Sequence, residues 1–337
     1  MMRAVICETP GRLGLVEQSP PVRRPDEVLV RIRRVGICGT DYHIMRGTQP
    51  YLSYPRVMGH EIAAEVVEAP RSAPLQPGTQ VCVIPYVSCG ECRACRRGRE
   101  NCCANLEVLG VHRDGALTEY LSLPARLLIE TGDLSLEQTA MLEFLAVGHH
   151  AVARGQVGPD DRVLVVGAGP IGMAVTVFAV RRGAEVTVVD GNMTRAAFCR
   201  DTLAARHAFV ADEALDAKLA AVTDLEGFDC VFDATGSPAA MESGFAQVAH
   251  GGRYVLVSVV TSDITFSDPA FHKRETTLLG SRNATRADFV EVMAAIRAGD
   301  VPTEAMHTHS APLEDLPDRF AEWMAPGAGV IKAIVTI

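Results

Sequence analysis

The segment VLVVGAGPIG, residues 163–172, decides the fold of the second half of the chain. It holds Gly167, Gly169 and Gly172 in GxGxxG spacing, directly after an apolar run typical of a buried strand and before a helix-like stretch. The first glycine permits a tight turn, the second lets the backbone approach a pyrophosphate, and the third allows close packing of helix on strand. The segment therefore predicts a strand-turn-helix unit that binds a dinucleotide at the helix N-terminus.

An acidic residue supports this interpretation, because the next apolar run, EVTVVD, ends at Asp190, 21 positions after Gly169. A carboxylate there can accept hydrogen bonds from both adenosine ribose hydroxyls and repels a 2′-phosphate, which favours NAD over NADP. Ile171 and Arg195 are further candidates for cofactor contacts, although such residues are more often structural or exposed. A packing turn followed by a capping Asp is the alternative interpretation of the motif.

The motif lies within a longer alternating pattern. From about residue 160 to 285, Val-rich runs such as FDCVFDATG (228–236) alternate with helix-like segments, which predicts a doubly wound α/β domain with a parallel sheet. Residues before about 145 form short β-branched runs separated by Pro and Gly, which predicts a β-rich domain. Periodicity does not assign the last segment, which ends in VIKAIVTI (330–337), to either domain.

Composition narrows the class of protein. The 337 residues are 48% hydrophobic and 22% charged, which is typical of a globular chain of about two domains. The net charge of -9 gives no general reason to bind nucleic acid or anionic membranes. We therefore interpret the local run RRGR (96–99) as a solvated loop rather than an anion-binding patch. No stretch is apolar enough for a signal peptide or a membrane span, and we expect a cytoplasmic protein.

Five cysteines lie within CGECRACRRGRENCC, residues 89–103. In a reducing compartment such clusters are more often metal or redox sites than disulfide frameworks. Four thiolates in C-x2-C-x2-C-x7-C spacing complete a tetrahedral shell, which predicts a structural zinc site, while an iron–sulfur cluster fits the last spacing less well. Cys102 is then left over. The predicted ligands are Cys89, Cys92, Cys95 and Cys103.

A second set of possible ligands is scattered through the first half of the chain. Cys38 lies in GICGTDYH, His60 and Glu61 end YPRVMGHE, and Glu143 lies in AMLEF. Each alone is unremarkable, since single cysteines are usually core residues and a lone His is usually structural. Together they offer one sulfur, one nitrogen and two carboxylates, which suits a zinc site that keeps a coordination position open for substrate.

With these residues assembled, the chain resembles the zinc-dependent medium-chain alcohol dehydrogenases, the family of sorbitol and threonine dehydrogenases. The two segments just quoted, the four-cysteine loop, GVHRDGALTEY, the glycine motif and Asp190 follow one another in family order along nearly the whole length. The resemblance implies an oxidoreductase with a GroES-like catalytic domain (1–147), a Rossmann NAD-binding domain (148–285) and a C-terminal segment (286–337) that returns to the catalytic domain.

The resemblance also implies roles for the scattered residues. Cys38 and His60 carry over as catalytic-zinc ligands, with Glu61 and Glu143 as alternating or water-mediated carboxylate ligands. The residue after Glu143 differs from the family pattern, because relatives usually have Pro where this chain has Phe144. The loss of a rigid residue next to a ligand affects the inferred shape of the substrate pocket more than the inferred zinc site.

Two residues that follow Cys38 in the sequence, Thr40 and His43, match the proton relay of the family. The resemblance implies that Thr40 passes a proton through the cofactor ribose to His43 at the surface; a turn-stabilising Thr and an exposed His are the alternatives. It further implies two Zn²⁺ ions per chain, one catalytic and one structural, with NAD as cofactor and a small molecule as substrate. Relatives are commonly dimers or tetramers, so we expect a homodimer or homotetramer.

Two further segments, QPYLSYPRVMGHE (49–61) and SDPAFHKRETTLLGSRNAT (267–285), resemble the L-galactonate and L-gulonate 5-dehydrogenases. We therefore expect oxidation of a secondary alcohol, the C5 hydroxyl of a sugar acid, with Arg282 or Lys273 as the cation for its carboxylate unless these make a structural or cofactor contact. A polyol dehydrogenase acting on galactitol or sorbitol is the alternative. A non-catalytic NAD-binding scaffold is more remote, since every expected zinc ligand is present.

Overall fold

The computed structural model describes residues 1–337, which form two compact units. The first unit contains Met1–Glu143 and Thr303–Ile337, and the second contains Phe144–Pro302. None of the helices combines the length and the apolar character that crossing a membrane requires.

The first unit is rich in strands, and its elements are numbered along the whole chain. Its strands are β1 (Met2–Thr9), β2 (Arg12–Gln18), β3 (Glu27–Ile37), β4 (Arg56–Val57), β5 (Glu61–Glu68), β6 (Gln80–Val83), β7 (Tyr86–Val87), β8 (Glu107–Val108), β9 (Tyr120–Pro124), β10 (Leu128–Glu130), β17 (His307–Pro312) and β18 (Lys332–Thr336). Its helices are α1 (Gly39–Arg46), α2 (Arg93–Arg96), α3 (Leu136–Ala140), α11 (Thr303–Met306) and α12 (Leu316–Met324), and α4 (Leu142–Arg154) leads into the second unit.

The main sheet of the first unit brings the two ends of the chain together. Its strand order is β10-β6-β5-β3-β18-β17, and β9 also pairs with β3. Strand β3 lies at the centre because its β-branched side chains, among them Val28, Val30 and Ile32, are fully buried. The ladder pairs Val35 with both Ile62 of β5 and Val335 of β18. The C-terminal strand therefore belongs to the first unit.

The second unit is a doubly wound α/β domain, which confirms the predicted fold class. Its strands are β11 (Arg162–Val166), β12 (Glu185–Asp190), β13 (His207–Val210), β14 (Phe228–Asp233), β15 (Val248–Leu256) and β16 (Thr277–Gly280). They pair in parallel in the order β13-β12-β11-β14-β15-β16. Its helices after α4 are α5 (Pro170–Arg181), α6 (Met193–Asp201), α7 (Leu215–Val222), α8 (Pro238–Gly244), α9 (Asp268–Lys273) and α10 (Arg286–Arg297).

The strand order reverses at β11, since the chain continues from it to β12 on one side and later to β14 on the other. Such a reversal opens a crevice at the carboxyl ends of the strands, where doubly wound domains bind ligands. The crevice lies where the glycine motif follows β11.

The first unit resumes at Thr303, whereas we expected the returning segment to begin at residue 286. Helix α10 and the residues up to Pro302 belong to the second unit. Asp288 near the start of α10 accepts hydrogen bonds from His149 (2.8 Å) and His150 (2.9 Å) of α4, and this buried contact holds the helix there. Periodicity identified the helix but carries no information about which domain it packs on.

Candidate metal and cofactor sites

The cysteine loop forms a compact sulfur cluster in the first unit. Strand β7 leads into it, and the short helix α2 turns Cys95 back toward Cys89 and Cys92. The sulfur-to-sulfur distances are 4.0 Å for Cys89–Cys95, 3.4 Å for Cys92–Cys95, 4.0 Å for Cys92–Cys103 and 3.5 Å for Cys103–Cys89. All ten cysteines of the chain are free thiols.

These distances fit a tetrahedral metal. A regular tetrahedron with Zn–S bonds of about 2.3 Å has S···S edges of about 3.8 Å, in the middle of the observed range. Backbone N–H groups already point at the sulfurs, as Cys92 N–H does at the Cys89 sulfur (3.4 Å) and Asn105 N–H at the Cys103 sulfur (3.3 Å). The cluster is therefore a possible structural zinc site with four protein ligands and no vacancy. Cys102 is exposed and outside it.

Hydrogen bonding and burial shift the thiol pKa values within this cluster. Backbone N–H groups of Cys95 and Ala104 stabilise the Cys92 thiolate and lower its pKa to about 6. Burial, together with hydrogen bonding to Cys92 and Cys103, raises the pKa of Cys95 to about 12. Four sulfurs at this separation cannot all ionise without a cation between them, which is what zinc supplies.

The scattered ligands meet in a second cluster of the first unit. Cys38 follows the end of β3, and His60 and Glu61 lie where the chain enters β5, the neighbour of β3 in the sheet. One ligand atom from each of these three residues lies within 4.8 Å of the other two. His60 is only 5% exposed, and Glu61 is fully buried. The structure thus brings Cys38 next to the consecutive residues His60 and Glu61, from which the sequence separates it.

Asp41, which the sequence interpretation did not single out, braces this cluster. Its carboxylate is fully buried and accepts hydrogen bonds from the N–H groups of Cys38 (2.9 Å) and Gly59 (3.3 Å). It also lies 4.0 Å from Nδ1 of His60, which has no hydrogen-bond partner. Burial opposes a charge on His60, but the adjacent Cys38 sulfur and Asp41 carboxylate outweigh it and hold the pKa of His60 well above its usual value.

Glu61 is held by a second residue that we did not predict, Lys332 of β18. The ammonium lies 2.7 Å from both Glu61 carboxylate oxygens and 3.2 Å from the Ile37 carbonyl, and both charged side chains are fully buried. Gly36 makes room for this pair, because a Cβ there would lie 2.1 Å from Glu61 Oε2. The only signal in the sequence was a Lys inside the otherwise apolar strand VIKAIVTI.

Glu143 lies beside the cluster near the start of α4 and has its own partner. Its Oε1 accepts a hydrogen bond from the hydroxyl of Tyr86, and both side chains are nearly fully buried. Burial raises the pKa of Glu143, while the nearby His60 opposes that shift. Burial and the adjacent Glu143 carboxylate raise the pKa of Tyr86 well above its usual value, so Tyr86 is the donor. Nothing in the sequence singled out Tyr86.

The charge of this cluster calls for a cation. When His60 is neutral, as a metal-bound imidazole must be, the buried carboxylates of Asp41, Glu61 and Glu143 face the single ammonium of Lys332, an excess of two negative charges before Cys38 ionises. Buried charges without partners are costly, and burial accordingly raises the pKa of Asp41. Sulfur, imidazole and carboxylate ligands around this excess suit Zn²⁺. The residues present therefore fit a zinc ion.

The predicted relay residues both lie on α1. Cys38 immediately precedes this helix, Thr40 is half-buried near its first turn, and His43 is exposed one turn further on. Nδ1 of His43 lies 2.9 Å from the hydroxyl of Thr48. Residues three apart share a helix face, so α1 leads from the buried cluster to the surface.

In the second unit, the glycine motif has the expected geometry. Gly167 has φ of 99°, a conformation that other residues rarely adopt, and a Cβ on Gly172 would lie 1.7 Å from the Gly167 carbonyl oxygen. Helix α5 begins at Pro170 with Gly169 before it, and no side chain caps it. Its N-terminal N–H groups can therefore receive a phosphate.

Asp190 lies at the carboxyl end of β12, beside the turn. Its carboxylate accepts hydrogen bonds from the N–H groups of Ala168 (2.6 Å) and Asn192 (2.7 Å), which fix its orientation. Ile171 and Arg195 are partly exposed near the starts of α5 and α6. Of the other predicted residues, Phe144 is fully buried. Lys273 and Arg282 are exposed on the second unit, the latter just after β16.

A doubly wound domain with this glycine turn, joined to a β-rich unit with a possible zinc cluster, defines a zinc-binding dehydrogenase. Residues 24–133 match the family model of the alcohol dehydrogenase GroES-like domain, and residues 170–298 match that of the zinc-binding dehydrogenases. The chain belongs to the zinc-dependent medium-chain alcohol dehydrogenase family, an oxidoreductase family, as the sequence predicted.

Individual relatives are similar to this chain over nearly its whole length. The chain is 39% identical to L-galactonate-5-dehydrogenase of Escherichia coli K12, over 99% of both chains. It is 32% identical to 2-dehydro-3-deoxy-L-galactonate 5-dehydrogenase of Pseudoalteromonas atlantica, over 96% of this chain and 95% of the relative. Among solved structures, a short chain alcohol dehydrogenase, rspB, from Escherichia coli CFT073 in complex with NADH superimposes with a TM-score of 0.93 at 26% identity, over 100% of this chain and 99% of that chain.

Proposed function

We propose that this protein is an NAD-dependent dehydrogenase that oxidises the C5 hydroxyl of a sugar acid of the L-galactonate or L-gulonate type to a ketone. The observation that carries the proposal is the buried Cys38–His60 cluster with its excess negative charge, in a chain so similar to an L-galactonate dehydrogenase. Its cytoplasmic location and its homodimeric or homotetrameric state remain predictions.

The residues that would hold the catalytic zinc are Cys38, His60 and Glu143. Lys332 already engages both oxygens of Glu61, whereas Tyr86 engages one oxygen of Glu143 and leaves the other available. Glu61 would bind the metal only by giving up part of its ion pair. Zinc held there would act as a Lewis acid that lowers the pKa of the substrate hydroxyl. The four-cysteine cluster would hold the second, structural ion.

The chain's own residues would orient the ligands and move the proton. Asp41 accepts hydrogen bonds from the N–H groups of Cys38 and Gly59, and its carboxylate, 4.0 Å from Nδ1 of His60, lies close enough to interact with the imidazole through charge. Thr40 would accept the substrate proton, and His43, one turn along α1 and exposed, would release it to water.

The second unit would bind NAD at its glycine turn. Gly167, Gly169 and Gly172 would let the backbone approach the pyrophosphate, with Ile171 and Arg195 as further contacts. The Asp190 carboxylate, oriented by two backbone N–H groups, would accept the adenosine ribose hydroxyls and repel the 2′-phosphate of NADP.

The substrate is tested with NAD or NADP and a panel of hexonates and hexitols, following the absorbance of the reduced cofactor. We expect turnover of L-galactonate or L-gulonate with NAD at a kcat/KM at least about tenfold above any hexitol, since tenfold corresponds to about 1.4 kcal/mol, within reach of one carboxylate contact. Arg282→Gln and Lys273→Gln would then identify the cation by a rise in KM. Both cations are exposed, which leaves galactitol or sorbitol as the second candidate, and turnover of hexitols alone would establish it.

A non-catalytic scaffold makes a different prediction for the same panel. It would bind NAD without turning over any alcohol, and metal analysis would find one zinc per chain with or without Cys38→Ser.

A further inference from the structure

Tyr86 connects the two metal clusters of the first unit. It lies in β7, three residues before Cys89, so it leads directly into the four-cysteine loop. Its hydroxyl points the other way and donates to Glu143 beside the Cys38–His60 cluster. Tyr86 is only 6% exposed and Glu143 only 5%, so water does not compete for this hydrogen bond.

The backbone on both sides of Tyr86 is held in place. Tyr86 and Val87 pair with Val108 and Glu107 of β8, and the Ser88 carbonyl accepts a hydrogen bond of 2.9 Å from Arg126. The backbone that carries the Tyr86 ring is therefore held by the pairing of β7 and β8, the strands on either side of the cysteine loop. A side chain so fixed can set the direction of the carboxylate that it contacts.

We propose that Tyr86 is a positioning residue that holds one oxygen of Glu143 and so presents the other to the catalytic metal. This inference rests on the proposed function, because it takes Glu143 as a ligand of that metal. A phenolic hydroxyl has one proton to donate, so it can occupy only Oε1 and leaves Oε2 unengaged by Tyr86. Without it, the buried carboxylate would rotate between orientations, and the metal would be held less tightly.

The test is the rate at which a chelator extracts zinc from the purified full-length protein, measured without substrate or NAD. Tyr86→Phe keeps the ring and removes only the hydroxyl. Loss of a hydrogen bond to a metal ligand weakens metal binding about 10- to 100-fold, so we expect zinc of the Cys38–His60 cluster to leave at least about tenfold faster. Zinc of the four-cysteine cluster, an internal reference within each sample, should leave at an unchanged rate.

Two further variants separate positioning from a general structural role. Tyr120→Phe is the matched control, because Tyr120 accepts a hydrogen bond from Arg31 (3.0 Å) in the same unit and should leave both rates unchanged. In a Glu143→Ala background, Tyr86→Phe should not change the rate of zinc release from the Cys38–His60 cluster any further. The hydrogen bond between Tyr86 and Glu143 is already absent there, so the double-mutant cycle isolates its effect.

Three results would overturn the proposal: an unchanged release rate in Tyr86→Phe, equal acceleration at both zinc sites, or the same acceleration when Glu143 is already Ala. The outcome is independent of the substrate panel. A protein that turned over no hexonate but lost catalytic-site zinc faster in Tyr86→Phe would refute the substrate assignment and support this inference.

Discussion

The two candidate metal clusters of the first unit are built in opposite ways. The four cysteines come from one loop of fifteen residues, and backbone N–H groups of the same loop point at their sulfurs. The Cys38–His60 cluster draws on residues from α1, the start of β5, the start of α4 and β18, and side chains brace it. A cluster closed by its own loop suits a structural ion, whereas one assembled from distant elements can leave a position open for chemistry.

The largest expected effect separates the clusters by activity. Cys38→Ser should lower kcat/KM for the preferred alcohol by about 10⁴-fold or more, since about 5.5 kcal/mol of transition-state stabilisation would be lost with the catalytic metal. The melting temperature should fall less than it does for a change in the cysteine loop, and metal analysis should still find the zinc of that loop. If Cys38→Ser retained turnover, or lost both zinc ions, the proposed division into a catalytic and a structural cluster would be wrong.

Stability should respond in the reverse way to a change in the cysteine loop. Cys95→Ser should lower the free energy of unfolding of the first unit by on the order of 5 kcal/mol, because binding of structural zinc contributes directly to folding. Calorimetry would detect this as a lower melting transition. Zinc should be lost from the loop at the same time. If Cys95→Ser and Cys38→Ser unfolded the protein equally, the division of labour would be wrong.

The buried ion pair offers a smaller effect that depends on metal. Lys332→Met leaves Glu61 buried without its partner, which should lower stability by about 3 kcal/mol in the zinc-free protein. With zinc bound, the ion can compensate Glu61 and the loss should be smaller. Melting temperatures with and without zinc test this, and the paired change Glu61→Gln with Lys332→Met should recover most of the loss. Equal losses of stability with and without zinc would show that the metal does not interact with the Glu61–Lys332 ion pair.

The smallest effect concerns the fifth cysteine of the loop. Cys102 is exposed and lies outside the sulfur cluster, so Cys102→Ser should change stability by about 0.5 kcal/mol or less and leave the zinc content unaltered. A loss of zinc comparable to that of Cys95→Ser would show that the loop uses a different set of four sulfurs.

Sequence reasoning succeeded where the determinants are local. The turn at Gly167 and the close approach at Gly172 are requirements that only glycine meets, so the motif predicted the turn, the helix after it and the parallel sheet. The cysteine spacing likewise predicted a cluster that the structure brings together, with sulfurs at 3.4 to 4.0 Å.

It failed where partners are distant or where packing decides. Tyr86 and Glu143 are 57 positions apart, and no spacing rule joins them. The expected start of the returning segment, residue 286, differs from Thr303, where the first unit resumes, because a helix pattern describes an amphipathic face and not its neighbour, which here is α4 through Asp288. Asp41 was overlooked because a single carboxylate near a helix start is usually a solvent-exposed cap, whereas this one is fully buried.

The ion pair between Glu61 and Lys332 has a consequence for the order of events during protein synthesis. The two residues are 271 positions apart, with the whole second unit encoded between them. At ~5–20 residues per second, the ribosome adds Lys332 on the order of 10 to 60 s after Glu61. Until then Glu61 has no ammonium to neutralise it, and β3 lacks its neighbour β18. All four cysteines of the loop are made early, whereas the Cys38–His60 cluster is completed only after the second unit has been made.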